Sequence, residues 1–456
     1  MNVEQLRKQA KELVRAARAG EPDALARLEG REPILARAQL VLAREHGYTS
    51  WPALVVAAEA NAERFVLAAT DGGRTRAESM LVGRPEIAED PWARLVLGLG
   101  WRGDPSAPGG PRDWAPLLYV CHSCFPSASL ARELLERGAD PNASFENEYG
   151  RMSALYGAAG VAHDPELTRV LLDAGADPDD GESLYHATEA ESTECLRLLL
   201  EHGAATAGTN ALAHALDHDS LEHVRLLLEA GADAGDGAYV AHAVRRGRGP
   251  EFVELLAAHG ADLDRPGGET WRGDVPLRTP YQHARLRGRD ETAKILAELG
   301  ASTAVDPADE AVEALARGER PRAALPDALD PDAQEVIVLA ALRGHLEVVV
   351  DAVGPDFRGV VGGSPEGSLL HHAAWLGAPE LVRELLGRGA DYAGGAGPKD
   401  GTPLAWAAHG SRYHGLEGRD YAAVAELLVS AGDRVEARYL DEADGPLYEW
   451  LEERVG

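Results

Sequence analysis

Residues 367–391 read GSLLHHAAWLGAPELVRELLGRGAD. The apolar spacing predicts two short helices, over 369–376 and 380–388, joined by a tight turn at Gly377 and followed by a Gly-Ala-Asp exit. Neither helix is long enough to bury its apolar face alone, so the unit needs a copy of itself on each side. Copies are present. A Gly-Ala-Asp or a near variant closes a helical segment at Gly138, Gly175, Gly203, Gly231, Gly260, Gly300, Gly389 and Gly432. This self-similarity predicts an all-α solenoid built from thin layers.

Four segments are expected: a helical N-terminal cap over 1–60, a degenerate first repeat with a Gly/Pro loop over 61–113, the array over 114–435, and a C-terminal capping helix within 436–456. In the cap, Leu6, Ala10, Leu13, Val14 and Ala17 fall at helical spacing. Further helices are predicted over 22–28 and 34–45, and Ser50 is placed to cap another that begins Trp51-Pro52. A weak helix pair follows (63–69 and 77–81), then the loop GWRGDPSAPGGPRD at 100–113. Exits from Gly175 to Gly260 lie 28 or 29 residues apart, which predicts shortened hairpin fingers. Longer intervals imply insertions at 266–275, 307–330, 394–400 and 409–420. The widest interval, 54 residues from Gly300 to Gly354, is expected to hold an extra helix at 309–318 and a repeat over 333–353 that lacks the exit signature.

Thr402-Pro403-Leu404, with Thr as cap and Pro at the first helical position, and the LLHHAAWLGAPELVRELLGRGA phrase resemble the ankyrin repeat. That pattern is a Thr-Pro-Leu-His-x-Ala-Ala helix, a Gly turn, a Val-x-x-Leu-Leu helix and a Gly-Ala-Asp exit. AQLVLAREHGYTSWPAL at 38–54 resembles the helical piece that precedes the array in a group of bacterial ankyrin proteins. The resemblance implies an ankyrin-repeat solenoid with a helical cap, short or irregular fingers, and a role in protein–protein interaction.

Composition narrows the partners. Apolar residues make up 45% of the 456, with only 5% aromatic, which suits small-residue helix packing rather than one large aromatic core. A net charge of −30 argues against a nucleic-acid backbone or an anionic membrane surface, since both are held by Lys and Arg. A basic protein or a small molecule stays compatible with it. The N-terminus MNVEQLRKQAKELV has no apolar stretch of signal-peptide type, and no 18-residue apolar run occurs, so a cytoplasmic protein is expected. Three cysteines do not make a disulfide framework, and the lone Cys121-His122-Ser123-Cys124 reads as small-residue packing.

The candidate site comes from aligning the first helices on Leu-His-x-Ala. The x position falls on His186, His214, His242, His283 and His372, and on Tyr119, Gly157, Leu339 and Trp406 in the other repeats. The ankyrin resemblance implies that this slot faces a concave groove, together with residues one turn on: Glu189, Asp217, His218, Arg245, Arg246, Arg287, Trp375 and His409. Three readings stay open. The row lines a groove for a peptide or polar small molecule, it hydrogen-bonds neighbouring loops as packing, or its imidazoles act as acid and base. Metal binding is weighed at His214 and His218, four apart beside Asp217, where His186 or His242 of a neighbouring helix reaches such an ion only with favourable tilt. No cofactor or metal is expected, and no nucleophile or phosphate loop is marked. Recognition of a protein or peptide is the leading expectation; a small-molecule site or an acid/base enzyme is the alternative.

Overall fold

The computed structural model describes residues 3–48, 60–268, 276–362, 364–393, 401–413, 418–443 and 445–452, with 51, 54, 55, 58, 395 and 454 besides. The Ser50 cap and most of the insertions at 266–275 and 394–400 lie outside the described residues. Contacts cluster into two compact units, 1–234 and 235–456, a division that crosses the array expected over 114–435.

In the first unit, the helix Val3–Arg18 packs on Leu35–Glu45 around Ala10, Leu13, Leu28 and Leu42. The predicted weak pair is present as Ala62–Thr70 and Arg74–Gly83, and Pro91–Val96 lies between the first of these and Pro116–Cys121. Helix pairs then follow: Pro116–Cys121 with Ala128–Glu136, Ala154–Tyr156 continued by a π-helical turn with Pro165–Asp173, Ser183–His186 with Glu194–Glu201, and Ala211–Asp217 with Leu221–Glu229. Between the first two pairs stands a true β-hairpin, Ser144–Asn147 against Gly150–Ser153, which the sequence pattern did not reveal.

The second unit repeats the scheme. Tyr239–Arg246 with Pro250–Ala258 and Pro280–Leu286 with Asp290–Glu298 are followed by the extra helix, Glu310–Ala316, shorter than the expected 309–318. It packs between Pro280–Leu286 and Pro331–Ala340 as a first helix, with an extended loop where its second would stand. The repeat lacking an exit is Pro331–Ala340 and Leu346–Val353, and two regular pairs complete the stack, Leu369–Trp375 with Pro379–Gly387 and Pro403–Tyr413 with Tyr421–Ala431. Gly445–Glu452 covers the last pair through Leu447 and Leu451, both fully buried.

Exit glycines end the second helices as their conformation allows. Gly231 has φ 95° and Gly389 φ 88°, left-handed values costly for any side chain, and the following amide closes back on the helix (Ala390 N to Leu385 O, 3.0 Å). The irregular 54-residue interval is pinned instead by charge. The Arg278 guanidinium, only 6% exposed, donates to Asp309 at 2.7 Å and to Asp330 at 2.8 Å, while Arg287 pairs with Asp332 at 3.3 Å. Asp330 also caps Pro331–Ala340 through the amides of Asp332 and Ala333. One arginine thus ties the start of one repeat to the extra helix and to the repeat beyond it.

Removing one partner leaves buried carboxylates facing each other, so Arg278→Ala should destabilise the second unit by about 3–5 kcal/mol in urea unfolding. A loss below about 1 kcal/mol would show that the network does not hold the insertion.

Candidate functional site

The expected row of first-helix side chains divides by what lies above it. Tyr119 is fully buried: its hydroxyl donates to Gly109 O at 2.9 Å and accepts from Arg112 N at 2.8 Å, and its ring meets Trp92 and Trp114. It closes the 100–113 loop over the stack rather than facing a groove. One turn on, His122 is buried among Trp114, Phe145 and Tyr156, and its Nε2–H donates to Ser153 O at 2.9 Å. Burial pushes this imidazole down to about 4.

His283 and His372 behave alike. Both are buried, and each donates from Nε2 to a backbone carbonyl of the finger leading into its own helix, Gly267 at 2.8 Å and Gly359 at 3.0 Å. His283 Nδ1 accepts from Arg287 at 3.0 Å, so the ring is held neutral, and burial first, then Arg287, keep it well below the usual range. His371 locks the neighbouring contact, accepting from Ser368 Oγ at 2.7 Å and donating to Gly401 O at 3.1 Å. For these histidines the structure favours the packing reading, because their ring nitrogens are engaged by finger backbone. The buried Cys121 thiol is likewise pushed up by burial, as expected of packing.

Where fingers are short, the row opens. His186 Nδ1 lies 2.7 Å from Glu189 Oε1, His214 stacks on Tyr185 at 3.7 Å, and His218 Nε2 stands 3.4 Å from His214 Nε2. Asp217 follows on the same helix, half-buried, and its charge helps raise the Tyr185 hydroxyl, after burial.

In the second unit, Arg245, Arg246 and Arg287 line a cavity of about 200 Å³ together with Arg289, Arg343, His345 and Glu335. His242, half-buried, sits on the same helix as Arg245 and Arg246. Arg289 donates to Gly247 O at 3.0 Å while its Nε is buried with no hydrogen-bond partner, and burial, then Arg343, Arg287 and Arg248, lower its affinity for a proton. Sequence alignment of helices missed Arg289 and Arg343 because both belong to the turns. For Arg343 a signal was available: Arg-Gly recurs at the ends of first helices at 246–247, 287–288, 317–318 and 343–344, each glycine with positive φ, and Arg289 directly follows one of these pairs.

The last aromatic group divides too. Trp406 is 8% exposed, wedged against His371, His372 and Trp375. Trp375, half-buried, meets His409 at 5.1 Å, and His409 meets the exposed Tyr413 at 4.5 Å, leaving a short aromatic step at the surface.

Residues 155–238 match the family model of ankyrin repeats (three copies), so this stretch of the chain is an ankyrin-repeat array. No curated protein matches the chain. Among solved structures it is similar to an ankyrin repeat domain from Acinetobacter baumannii, at 26% identity over 41% of this chain and 98% of that one, with a TM-score of 0.35. It is also similar to the human ASB11 ankyrin repeat domain (19% identity, 53% of this chain, 99% of that one, TM-score 0.35). A third is the ankyrin repeat domain of Bcl-3, of the IkappaB family (23%, 51%, 97%, TM-score 0.33). Among the described residues no helix is long and apolar enough to cross a membrane.

The buried histidines set an acid sensitivity. Above pH 6.5, His122 is neutral in both folded and unfolded chains, so it carries no penalty. Between 6.5 and about 4 the unfolded chain takes up a proton that the folded one excludes, and stability falls with pH. His122 alone should cost about 3 kcal/mol by pH 4. Unfolding of His122→Gln should show a flatter loss over this window; an unchanged slope would assign the acid sensitivity elsewhere.

Proposed function

We propose that this protein recognises a partner protein through the first-helix and turn face of its repeats, with the arginine cavity of the second unit receiving an acidic element of that partner. Ankyrin repeats are in general protein–protein interaction modules, and no chemistry beyond binding is needed to account for the face. The observation that carries the reading is the cavity itself: five arginines and His345 converge on about 200 Å³, with Glu335 among the described lining residues and Arg287 paired with Asp332. In a chain of net charge −30, cations gathered at one place mark where an anion is wanted. The guanidinium fork suits a carboxylate in two-pronged geometry. Arg289 adds a buried Nε with no protein partner to accept its hydrogen bond.

This turns the charge argument around. A basic partner follows from net charge alone, whereas the local field on this face favours Asp, Glu or a chain-terminal carboxylate. The exposed step of Trp375, His409 and Tyr413 in the same unit offers an aromatic anchor of the kind interfaces use. An acid/base role is the weaker reading, since His122, His283 and His372 are occupied by backbone carbonyls.

The test is capture of partners by cross-linking to the pure chain, followed by titration of the identified partner. Arg343→Glu, on an exposed turn, should weaken binding at least about tenfold, or ~1.4 kcal/mol, and added salt should weaken the wild type more than the variant. Equal affinity of wild type and Arg343→Glu would overturn the role of the cavity.

A further inference from the structure

We propose that Glu189, His214 and His218, in the first unit, hold a divalent transition-metal ion of the zinc class. The three residues come from consecutive repeats, Glu189 at the end of one first helix and the histidines at the end of the next, and their ligand atoms lie within 4.8 Å of one another. His214 Nε2 is 3.4 Å from His218 Nε2 and 3.6 Å from Glu189 Oε1. A tetrahedral ion with bonds of about 2.0–2.1 Å puts its ligand atoms about 3.4 Å apart. The two edges at His214 therefore match those of a zinc tetrahedron, and the third, from His218 to Glu189, is within 4.8 Å.

Hydrogen-bond bookkeeping fixes which nitrogen of His214 is available. Thr188 Oγ1 gives its single proton to Tyr185 O at 2.7 Å, so at its 2.9 Å contact with His214 Nδ1 it accepts. The other neighbour of Nδ1, Tyr185 O at 3.2 Å, can only accept. Nδ1 therefore carries the hydrogen, and the neutral ring presents a lone pair at Nε2. That lone pair faces a carboxylate oxygen, also an acceptor, and a second imidazole nitrogen. With the His218 ring in the tautomer that leaves its Nε2 unprotonated, three electron-pair donors meet at one point, an arrangement that a cation between them satisfies.

The surroundings are those that orient metal ligands. The His214 ring is stacked on Tyr185 at 3.7 Å with an interplanar angle of 19°, and its Nδ1–H is held by the Thr188 hydroxyl and the Tyr185 carbonyl. Glu189 is held by His186, whose Nδ1 lies 2.7 Å from the same Oε1 that faces His214. Two imidazoles and one carboxylate leave the fourth position of a tetrahedron for water or for a group brought by a partner. The third ligand is Glu189 rather than a neighbouring histidine, its carboxylate standing at the end of a short 3-10 turn, 3.6 Å from His214 Nε2.

The experiment is Zn(II) titration of the tag-free, chelator-treated full chain by calorimetry, with Co(II) absorption as a second probe. One ion per chain should bind, with the strong visible bands of four-coordinate Co(II), and zinc should raise the unfolding temperature. His218→Ala and Glu189→Gln, both exposed and so not expected to disturb folding, should each weaken zinc at least about tenfold, while His259→Ala, another surface histidine, should not. Circular dichroism matching the wild type establishes that the variants are folded. Absence of stoichiometric binding at micromolar zinc, or binding unchanged in both site variants, would overturn the proposal.

Discussion

First helices of adjacent repeats approach so closely that a single methyl group decides whether they fit. A β-carbon on Gly157 would stand 2.7 Å from the His122 ring and 2.9 Å from the Cys121 backbone, and one on Gly410 would meet Trp375 O at 2.2 Å. Gly160 leaves the same room for His186. Alanine fills most remaining contact positions, as at Ala158, Ala187, Ala215, Ala243, Ala284, Ala373 and Ala407, all essentially inaccessible to solvent. Close approach is what lets short helices bury enough apolar surface to be stable, since each layer is supported only by its neighbours. It also brings side chains from successive layers within hydrogen-bonding range, and both candidate sites are products of that spacing.

Finger length decides the fate of the slot that carries histidine. His283 and His372 follow long connections, whose returning backbone presents Gly267 O and Gly359 O directly above the ring. A buried carbonyl needs a donor, and the imidazole supplies it at the cost of its own ionisation. His186 and His214 lie in the run of shortened repeats, where no strand returns over them. Their polar neighbours are side chains of their own and the adjacent layer, Glu189 and Glu182 at His186 and Thr188 and His218 at His214, and this gathers Glu189, His214 and His218. The same residue at the same slot meets finger backbone in one place and side chains of the neighbouring repeat in another.

Charge is distributed by turns rather than by helices. The recurring Arg-Gly turns of the second unit place guanidinium groups at corresponding corners of successive layers, and the left-handed glycine lets each chain reverse there. Asp309 and Asp330 pair with Arg278 and Asp332 with Arg287, and Arg287 lines the cavity together with Arg289 and Arg343. An acidic protein thereby keeps a confined basic surface.

Residue pattern alone determined the class of fold, because a period of apolar helices and Gly-Ala-Asp exits has only one economical way to bury itself, by stacking copies. It also determined the histidine slot, the extra helix in the 54-residue interval and the shortened fingers between Gly175 and Gly260. Only the tertiary structure decided the β-hairpin at 144–153, the Arg278 network, the burial of Tyr119, and which histidines face backbone and which face one another. The reason is physical. Helix periodicity is written in local sequence, but the partner of a polar side chain lies one repeat or more away, at a distance set by loops whose course no periodicity encodes.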